Sequence, residues 1–337
     1  MFKRIFVLIL VLLAVLAAGW LAMRRSDIPF TSLESRYSTD ESEFLTLPGG
    51  LVVHYKDQGD LNAPVLLLVH GFTSSTETWS EWLPGLTEDY RVISVDLPGH
   101  GLTRVQENTD FSTAGLVEFL KAFSEALRLE AFTLAGSSMG GHAAWVYALD
   151  HESTLDALVL VDAAGLPIEE SVPQPDTPFI IKLIRNPVAR ALIEDLDPGP
   201  MLRNGLAGAY HDQGFVTEDL VQRYSDYARA PGHRHTMMQL SARDPEEEGR
   251  RFQELSELFL PVLILQGRED RLVAATDAER FHTLIPGSEL IIYENVGHMP
   301  HEEHAAESLS DLRSFLARVY APEASEVSPA EEAVAPL

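Results

Sequence analysis

The sequence contains no cysteine, and this absence excludes several kinds of site at once. A chain without cysteine forms no disulfide, holds no cysteine-ligated zinc or iron–sulfur cluster, and has no thiolate nucleophile. Basic residues are also scarce, since 25 Lys and Arg stand against 51 Asp and Glu and give a formal net charge of −26. Such an acidic surface repels phosphate backbones, so we expect no nucleic acid partner.

The chain has no shortage of apolar side chains, which make up 45% of its 337 residues. That content is enough to bury a large core and is not typical of a disordered protein. Only the last segment, residues 321–337, is composed mainly of Ala, Pro, Ser and Glu without a basic residue. We predict that this segment is a disordered acidic tail.

The first residues include a long apolar run. Residues 5–22 carry no charge, and as a helix they would extend about 27 Å, close to the ~30 Å hydrocarbon core of a bilayer. We predict a membrane anchor or signal segment over residues 1–25, favouring an uncleaved anchor whose N-terminus stays in the cytoplasm. The body would then be exported to the periplasm or beyond. Cleavage after Ala17-Ala18-Gly19, giving a secreted protein, stays open, as does the orientation, because basic residues flank both ends.

After a polar stretch at residues 26–42, predicted as a stalk, apolar runs typical of buried strands alternate with amphipathic helical patterns. This alternation predicts the α/β class, with a mostly parallel central sheet flanked by helices. The first part of this core covers residues 43–164 and the second covers residues 250–320. The predicted strands lie at 44–47, 51–56, 65–69, 92–95, 132–135, 158–161, 262–265 and 289–293, with clear helices at 113–127 and 142–149.

One long stretch, residues 165–249, contains no buried strand pattern. It begins with a proline-rich segment that includes Pro173, Pro175 and Pro178, and continues with amphipathic patches such as 179–193 and 217–230. We predict that it is a helical cap inserted between two strands of the core.

The motif Gly136-Ser137-Ser138-Met139-Gly140 follows the predicted strand 132–135 and precedes a helix. A G-x-S-x-G motif in this context is typical of a nucleophile elbow, in which the serine lies on a sharp strand-to-helix turn. Ser138 holds the central position and Ser137 does not. The sequence therefore predicts Ser138 as a nucleophile.

A serine hydroxyl needs a general base that is itself oriented by a carboxylate. Asp270 follows the strand 262–265 and His298 follows the last strand, so both lie at the edge of the sheet where the elbow opens. We predict Asp270 as the acid and His298 as the base, in the chain order Ser, acid, His. Glu269 and Asp162, which also lie at the C-terminal ends of predicted strands, are the alternative acids.

Five motifs in this order give the chain a resemblance to α/β-hydrolases with a helical cap, over roughly residues 44–319. They are His70-Gly71-Phe72, Asp96-Leu97-Pro98-Gly99-His100-Gly101, Gly136–Gly141, the turn from Gly267 to Asp270, and Gly297-His298. The Ser-Met-Gly-Gly elbow is similar to that of bacterial lipases and esterases and of carbon–carbon bond hydrolases.

The resemblance implies a role for each matching residue. Ser138 would attack an acyl carbonyl, His298 would move the proton, and Asp270 would orient the imidazole. The backbone amides of Phe72 and Met139 would form the oxyanion hole. No cofactor and no metal are implied.

The remaining histidines are expected to be structural. His70 and His100 belong to loops that the resemblance treats as supporting, and His301 lies just after the proposed base. His233 and His235 lie two apart in the cap, a poor spacing for a metal site, and are expected at the surface.

The resemblance and the composition together favour ester hydrolysis. A serine at the elbow disfavours dehalogenase and epoxide hydrolase activity, and a cap rich in apolar side chains suits a hydrophobic acyl group or lipid. The cap residues in question are Phe179, Ile180, Ile181, Leu183, Ile184, Leu192 and Met201. Carbon–carbon bond hydrolysis of a diketone is the alternative, followed by a catalytically inactive ligand-binding protein. The oligomeric state stays open.

Overall fold

In the computed structural model, residues 2–167, 179–243 and 250–321 are described. The prolines Pro173, Pro175 and Pro178 and nearly all of the predicted tail lie outside these residues. The strands are β1 Ser42–Thr46, β2 Val52–Gln58, β3 Val65–Val69, β4 Arg91–Val95, β5 Phe132–Ser137, β6 Leu155–Val161, β7 Val262–Gly267 and β8 Glu289–Tyr293. The helices are α1 Phe2–Met23, α2 Phe30–Tyr37, α3 Leu83–Leu86, α4 Thr113–Ala126, α5 Met139–His151, α6 Phe179–Arg185, α7 Pro187–Ile193, α8 Gly199–Ala209, α9 Glu218–Ala228, α10 His233–Ser241, α11 Ala275–Leu284, α12 Pro300–Glu303 and α13 Ala305–Val319.

The strands form one eight-stranded sheet in the order β1-β2-β4-β3-β5-β6-β7-β8. The β1–β2 and β2–β4 pairs are antiparallel, and every pairing from β4 onwards across the sheet is parallel. The predicted α/β fold with a mostly parallel sheet is confirmed. The register places Ser137 beside Val161 and Val161 beside Leu265, so the chain segments that leave β5, β6 and β7 lie side by side.

The two faces of the sheet explain why the central strands are solid apolar runs. In β3, Leu67 and Val69 join the core that packs against α4, α5 and α11, whereas Leu66 and Leu68 join the core beneath α3 and α13. Because successive side chains of a strand point to opposite faces, a strand covered on both faces must be apolar at every position.

Helices α6 to α10 lie between β6 and β7, within the stretch predicted as a cap. The exact limits of that domain stay a prediction. The amphipathic patch at 179–193 is two helices rather than one, because Pro187 has no N–H to continue the first helix. The Asn186 side chain instead accepts hydrogen bonds from Val188 N and Ala189 N and begins α7.

Residues 26–42, predicted as a stalk from their polar composition, are in part packed against the body of the protein. They contain α2, whose Leu33 is completely buried among Leu102, Tyr227 and Ala230. One apolar side chain per helical turn is enough to bury a short helix against its neighbours, and the average polarity of the segment conceals this.

Helix α1 carries no buried residue and is long and apolar enough to cross a membrane, with a mean hydropathy of 3.0. Length and composition support membrane association. They do not distinguish a retained anchor from a signal sequence, so the predicted anchor stays a prediction.

Candidate active site

Ser138 lies at the turn between β5 and α5, with φ of 52° and ψ of −115°. The turn is fixed from both sides, since Ser138 N donates to Val161 O at 3.0 Å and Ala164 N donates to Ser138 O at 3.1 Å. A Cβ at Gly136 would lie 2.3 Å from Gly140 O, so only glycine fits there. The strained backbone that the elbow motif predicts is therefore present at Ser138.

Asp270 and His298 are joined by a short hydrogen bond, in which His298 Nδ1 lies 2.6 Å from Asp270 Oδ2. The second carboxylate oxygen, Oδ1, accepts from Leu272 N at 2.7 Å and from Val273 N at 3.0 Å. Burial alone would raise the pKa of Asp270, but the His298 contact and these two amides outweigh it and lower the pKa below its usual value. Asp270 is thus a fixed carboxylate directed at the imidazole.

Glu269, one of the alternative acids, has a different contact. Its Oε2 accepts from Val296 N at 3.0 Å, and its own N–H donates to Val296 O at 2.9 Å. These two bonds hold the turn after β7 against the loop that carries His298. A Cβ at Gly267 would lie 1.8 Å from Gly297 O, so glycine is required for the same close approach.

Asp162, the other alternative acid, lies completely buried beside Asp270, at the end of β6. Its Oδ1 accepts from Gln266 Nε2 at 2.8 Å and from Gly267 N at 2.9 Å, whereas its Oδ2 has no hydrogen-bond partner within the described residues. Gln266 Nε2 also lies 3.2 Å from Asp270 Oδ2. Burial first, and then the charge of Asp270, raise the pKa of Asp162 well above its usual value.

The pKa values of the two carboxyl groups are therefore shifted in opposite directions. Asp270 has two backbone amides and an imidazole to stabilise its charge, and Asp162 has one amide and one side-chain amide. Two carboxylates this close ionise together only at a large cost, so the pKa of Asp270 is lowered, that of Asp162 is raised, and Asp270 ionises first.

Ligand-type atoms of Asp162, Asp270 and His298 lie within 4.8 Å of one another, a spacing that a metal ion could also use. The 2.6 Å contact between Asp270 and His298 is a hydrogen-bond distance that leaves no room for an ion between those two atoms. The geometry of this cluster favours a proton-linked network over a metal site.

The predicted oxyanion loop runs past the nucleophile. A Cβ at Gly71 would lie 3.0 Å from Ser138 Cβ, which places this loop in van der Waals contact with the elbow. Phe72, Ser138 and His298 line one cavity, and Met139 is the first residue of α5. The N–H of a first helical residue has no partner within its helix and is available to an anion.

His70 connects this loop to the loop after β4. Its Nε2 accepts from Leu97 N at 3.0 Å, and its Nδ1 lies 2.7 Å from Gly71 O. Burial lowers the pKa of His70, so the neutral ring serves both contacts with Nδ1 as the donor. His100, nearby, is also buried, and burial lowers its pKa to about 3. The two contacts of His70 hold neighbouring loops together.

His233 differs from its prediction as a surface histidine, because only 1% of it is exposed. Its ring nitrogens lie 2.8 Å from Tyr227 O and 3.0 Å from Thr103 O, so it joins the cap to the core. Two histidines at i and i+2 of a helix point in different directions, and His235 is the one that faces solvent.

Sequence reasoning missed Glu303, which supports the loop of the candidate base. Its carboxylate accepts from Gly297 N at 2.8 Å and from His211 N and Asp212 N, both at 2.9 Å. An acid five residues after a histidine has no motif of its own, so the sequence contains no signal for it.

The cavity beside Ser138 and His298 has a volume of about 360 Å³, which is within the usual range for small-molecule sites. Apolar side chains from the cap form most of its roof. Met201, Leu202 and Leu206 come from α8, and Met237 comes from α10. Within the described part of the chain, no Lys or Arg lines this cavity.

Comparison with known proteins places this geometry in a family. Residues 64–305 match the family described as the alpha/beta hydrolase fold. The monoacylglycerol lipase ABHD6 of Bos taurus is 27% identical over 271 residues, which cover 78% of this chain and 78% of that protein. A 2-hydroxy-6-oxononadienedioate/2-hydroxy-6-oxononatrienedioate hydrolase of Paraburkholderia phymatum is 28% identical over 277 residues, covering 80% of this chain and 93% of that protein.

Among solved structures, a membrane phospholipase A described as a bacterial virulence factor is 26% identical with a TM-score of 0.70. That similarity covers 95% of this chain and all of the other.

Proposed function

Because the chain belongs to the alpha/beta hydrolase fold family, we propose that it is a serine hydrolase that cleaves carboxylic esters with a hydrophobic acyl group. The observation that carries this proposal is the 2.6 Å hydrogen bond between Asp270 and His298, a histidine that lines the same cavity as Ser138. A strained serine at a helix N-terminus, beside a histidine held by a buried carboxylate, is the arrangement that acyl transfer requires.

In this proposal Ser138 Oγ attacks the ester carbonyl while His298 Nε2 accepts the hydroxyl proton. Asp270 keeps the proton of the imidazole on Nδ1 and stabilises the imidazolium as it forms. His298 then gives its proton to the leaving alcohol, leaving an acyl-enzyme. Water attacks that acyl-enzyme by the same proton transfers in reverse, which releases the carboxylic acid and restores Ser138.

The tetrahedral intermediates carry a negative oxygen that needs donors already in place. We assign this role to the amides of Phe72 and Met139, each contributing about 3 kcal/mol in the transition state. The packing of Gly71 against Ser138 supports this assignment, because it brings the loop of Phe72 close to the nucleophile.

The lining of the cavity favours an uncharged ester or lipid substrate. Carbon–carbon bond hydrolysis is the second candidate, supported by the 28% identical dienedioate hydrolase. A dienedioate is a dianion at neutral pH, and no Lys or Arg in the described residues lines this cavity to compensate two buried charges. The apolar roof instead suits an acyl chain, in line with the monoacylglycerol lipase and the membrane phospholipase among the similar proteins.

The test is fluorophosphonate labelling of the full chain in detergent micelles, with p-nitrophenyl esters and a vinylogous diketone as parallel substrates. We expect labelling and ester hydrolysis by the wild type and neither by Ser138→Ala. Ser310→Ala, an exposed serine on α13, is the matched control and should behave as wild type. Equal labelling of Ser138→Ala would refute the nucleophile, and a preference for the diketone would refute the substrate class.

For location we propose that α1 is retained as a membrane anchor and that the body is exported to the periplasm or the cell exterior. Support comes from the exposed apolar surface of α1 and from the membrane phospholipase that the chain resembles over 95% of its length. A reporter that works only outside the cytoplasm, fused after Leu337, should be active. A well-expressed but inactive fusion would reverse the orientation.

A further inference from the structure

A second cavity lies in the cap beside the one that contains Ser138. Its volume is about 200 Å³, and three residues line both cavities: Met201, Met237 and Ser241. Ile184 and Met238 contribute further apolar surface to the second cavity only. The two cavities are therefore neighbours across a wall made of two flexible methionine side chains and one small serine.

Among the described residues, three charged side chains line the second cavity and each already has a partner, and for Glu194 this is His235, whose Nδ1 lies 3.3 Å from Glu194 Oε1. Arg234 donates to Asp27 Oδ1 at 2.6 Å and to Arg25 O at 2.8 Å. Asp197 accepts from Gly199 N at 3.0 Å. The surface that remains for a ligand in the second cavity is therefore apolar. It offers a polar ligand few hydrogen-bond partners and suits a hydrocarbon chain.

The second cavity also lies where helix α1 meets the cap. Leu196 and Asp197 line it, and this segment binds the end of α1, since Arg25 N donates to Asp195 O at 2.8 Å and Asp197 N donates to Met23 O at 2.9 Å. If α1 crosses a bilayer, the second cavity is the part of the pocket system nearest to the membrane surface.

We propose that the second cavity is a subsite for the distal part of a long acyl chain. The chain extends from the carbonyl at Ser138 past Met201 and Met237 and ends against Ile184 and Met238. This inference rests on the proposed function. Methionine suits the shared wall because its unbranched side chain changes rotamer at little cost. Each methylene placed in an apolar site raises kcat/KM by up to about fourfold.

The experiment measures kcat/KM for p-nitrophenyl esters from butanoate to hexadecanoate with the full chain in micelles. Met238→Trp fills the second cavity from a partly exposed position, so we expect at least a tenfold loss on the hexadecanoate and less than a twofold change on the butanoate. Gln239→Trp is the matched control, because the next residue of α10 is exposed and lines neither cavity. Its chain-length profile should equal that of the wild type.

A second variant tests the same subsite in the opposite direction. Ile184→Ala enlarges the cavity and should shift the preferred chain length upwards. Unchanged profiles for both Met238→Trp and Ile184→Ala, or equal losses on short and long esters, would overturn the subsite while leaving Ser138 labelled by fluorophosphonate. A wild type that hydrolyses none of the esters and is not labelled would instead refute the proposed function, and the subsite with it.

Discussion

Replacing Asp162 by Asn tests whether this buried carboxyl is neutral in the folded protein. The amide oxygen of Asn can keep both acceptor contacts of Asp162 Oδ1, with Gln266 Nε2 at 2.8 Å and Gly267 N at 2.9 Å. Burial and the charge of Asp270 raise the pKa of Asp162 well above its ordinary value, so we expect a neutral carboxyl, for which the amide of Asn is the closest substitute. We expect Asp162→Asn to fold and to keep its catalytic activity.

The magnitude follows from one proton. An acid whose pKa is higher in the folded than in the unfolded state binds an extra proton only when folded, at pH values between the two. The free energy of unfolding of the wild type therefore falls by about 1.4 kcal/mol per pH unit through that window, relative to a variant without the group. The window begins at the ordinary pKa of 3.8 and extends upwards to the raised pKa. Asp162→Asn should be the more stable protein above it.

The assay is urea unfolding in detergent micelles between pH 5 and pH 8, followed by tryptophan fluorescence. Titrating groups that do not interact with Asp162 contribute equally to both proteins and cancel in the difference between wild type and Asp162→Asn, and Asp270, whose pKa is lowered, is ionised in both over this range. Glu118→Gln, on an exposed position of α4, is the control for simple removal of a charge. Parallel stability curves for wild type and Asp162→Asn would show that Asp162 is ionised when folded, and this would refute the reasoning.

Two further predictions concern the candidate acid and the helix α2. Asp270→Asn should lower kcat about 10⁴-fold, because the imidazole loses its orienting carboxylate. The kcat of Glu269→Gln, whose amide oxygen can still accept from Val296 N, should stay within a factor of a few of the wild-type value. Comparable losses for the two variants in steady-state assays would overturn the choice of acid. Leu33→Ala should lower the free energy of unfolding by about 2–5 kcal/mol, measured as a lower thermal midpoint. Ser35→Ala, at an exposed position, should change the free energy of unfolding by less than about 0.5 kcal/mol. An unchanged midpoint in Leu33→Ala would mean that α2 is not part of the cooperative fold.

The parts of the fold that could be predicted are those in which one local pattern decides the structure. The strand at 65–69 has the predicted bounds. A strand covered by helices on both faces of the sheet is apolar at every position, and the apolar run stops where the helices no longer cover the strand. The elbow at Ser138 could be predicted from sequence for a similar reason, since a strained strand-to-helix turn needs glycine at fixed positions.

The parts that could not be predicted depend on contacts between distant segments. Glu303 joins the loop of His298 to the cap only because the fold brings His211 N within hydrogen-bond distance of the Glu303 carboxylate. His233 is buried by Tyr227 and Thr103, which lie in the cap and in the core. The hydropathy of a residue's own segment carries no information about such partners, and an average over residues 26–42 likewise concealed the burial of α2.

These long-range contacts have a common consequence for the candidate site. His298 N donates to Ala209 O in the cap at 2.7 Å, and the Glu303 carboxylate joins the same loop to the cap at His211. The loop of the candidate base is therefore bonded to the cap on one side and, through Glu269 and Val296, to the turn after β7 on the other. The cap is also tied to the end of α1, because Arg25 N donates to Asp195 O at 2.8 Å. Hydrogen bonds thus link the end of α1, the cap and the loop of His298, in addition to any contact between the cap and an acyl chain.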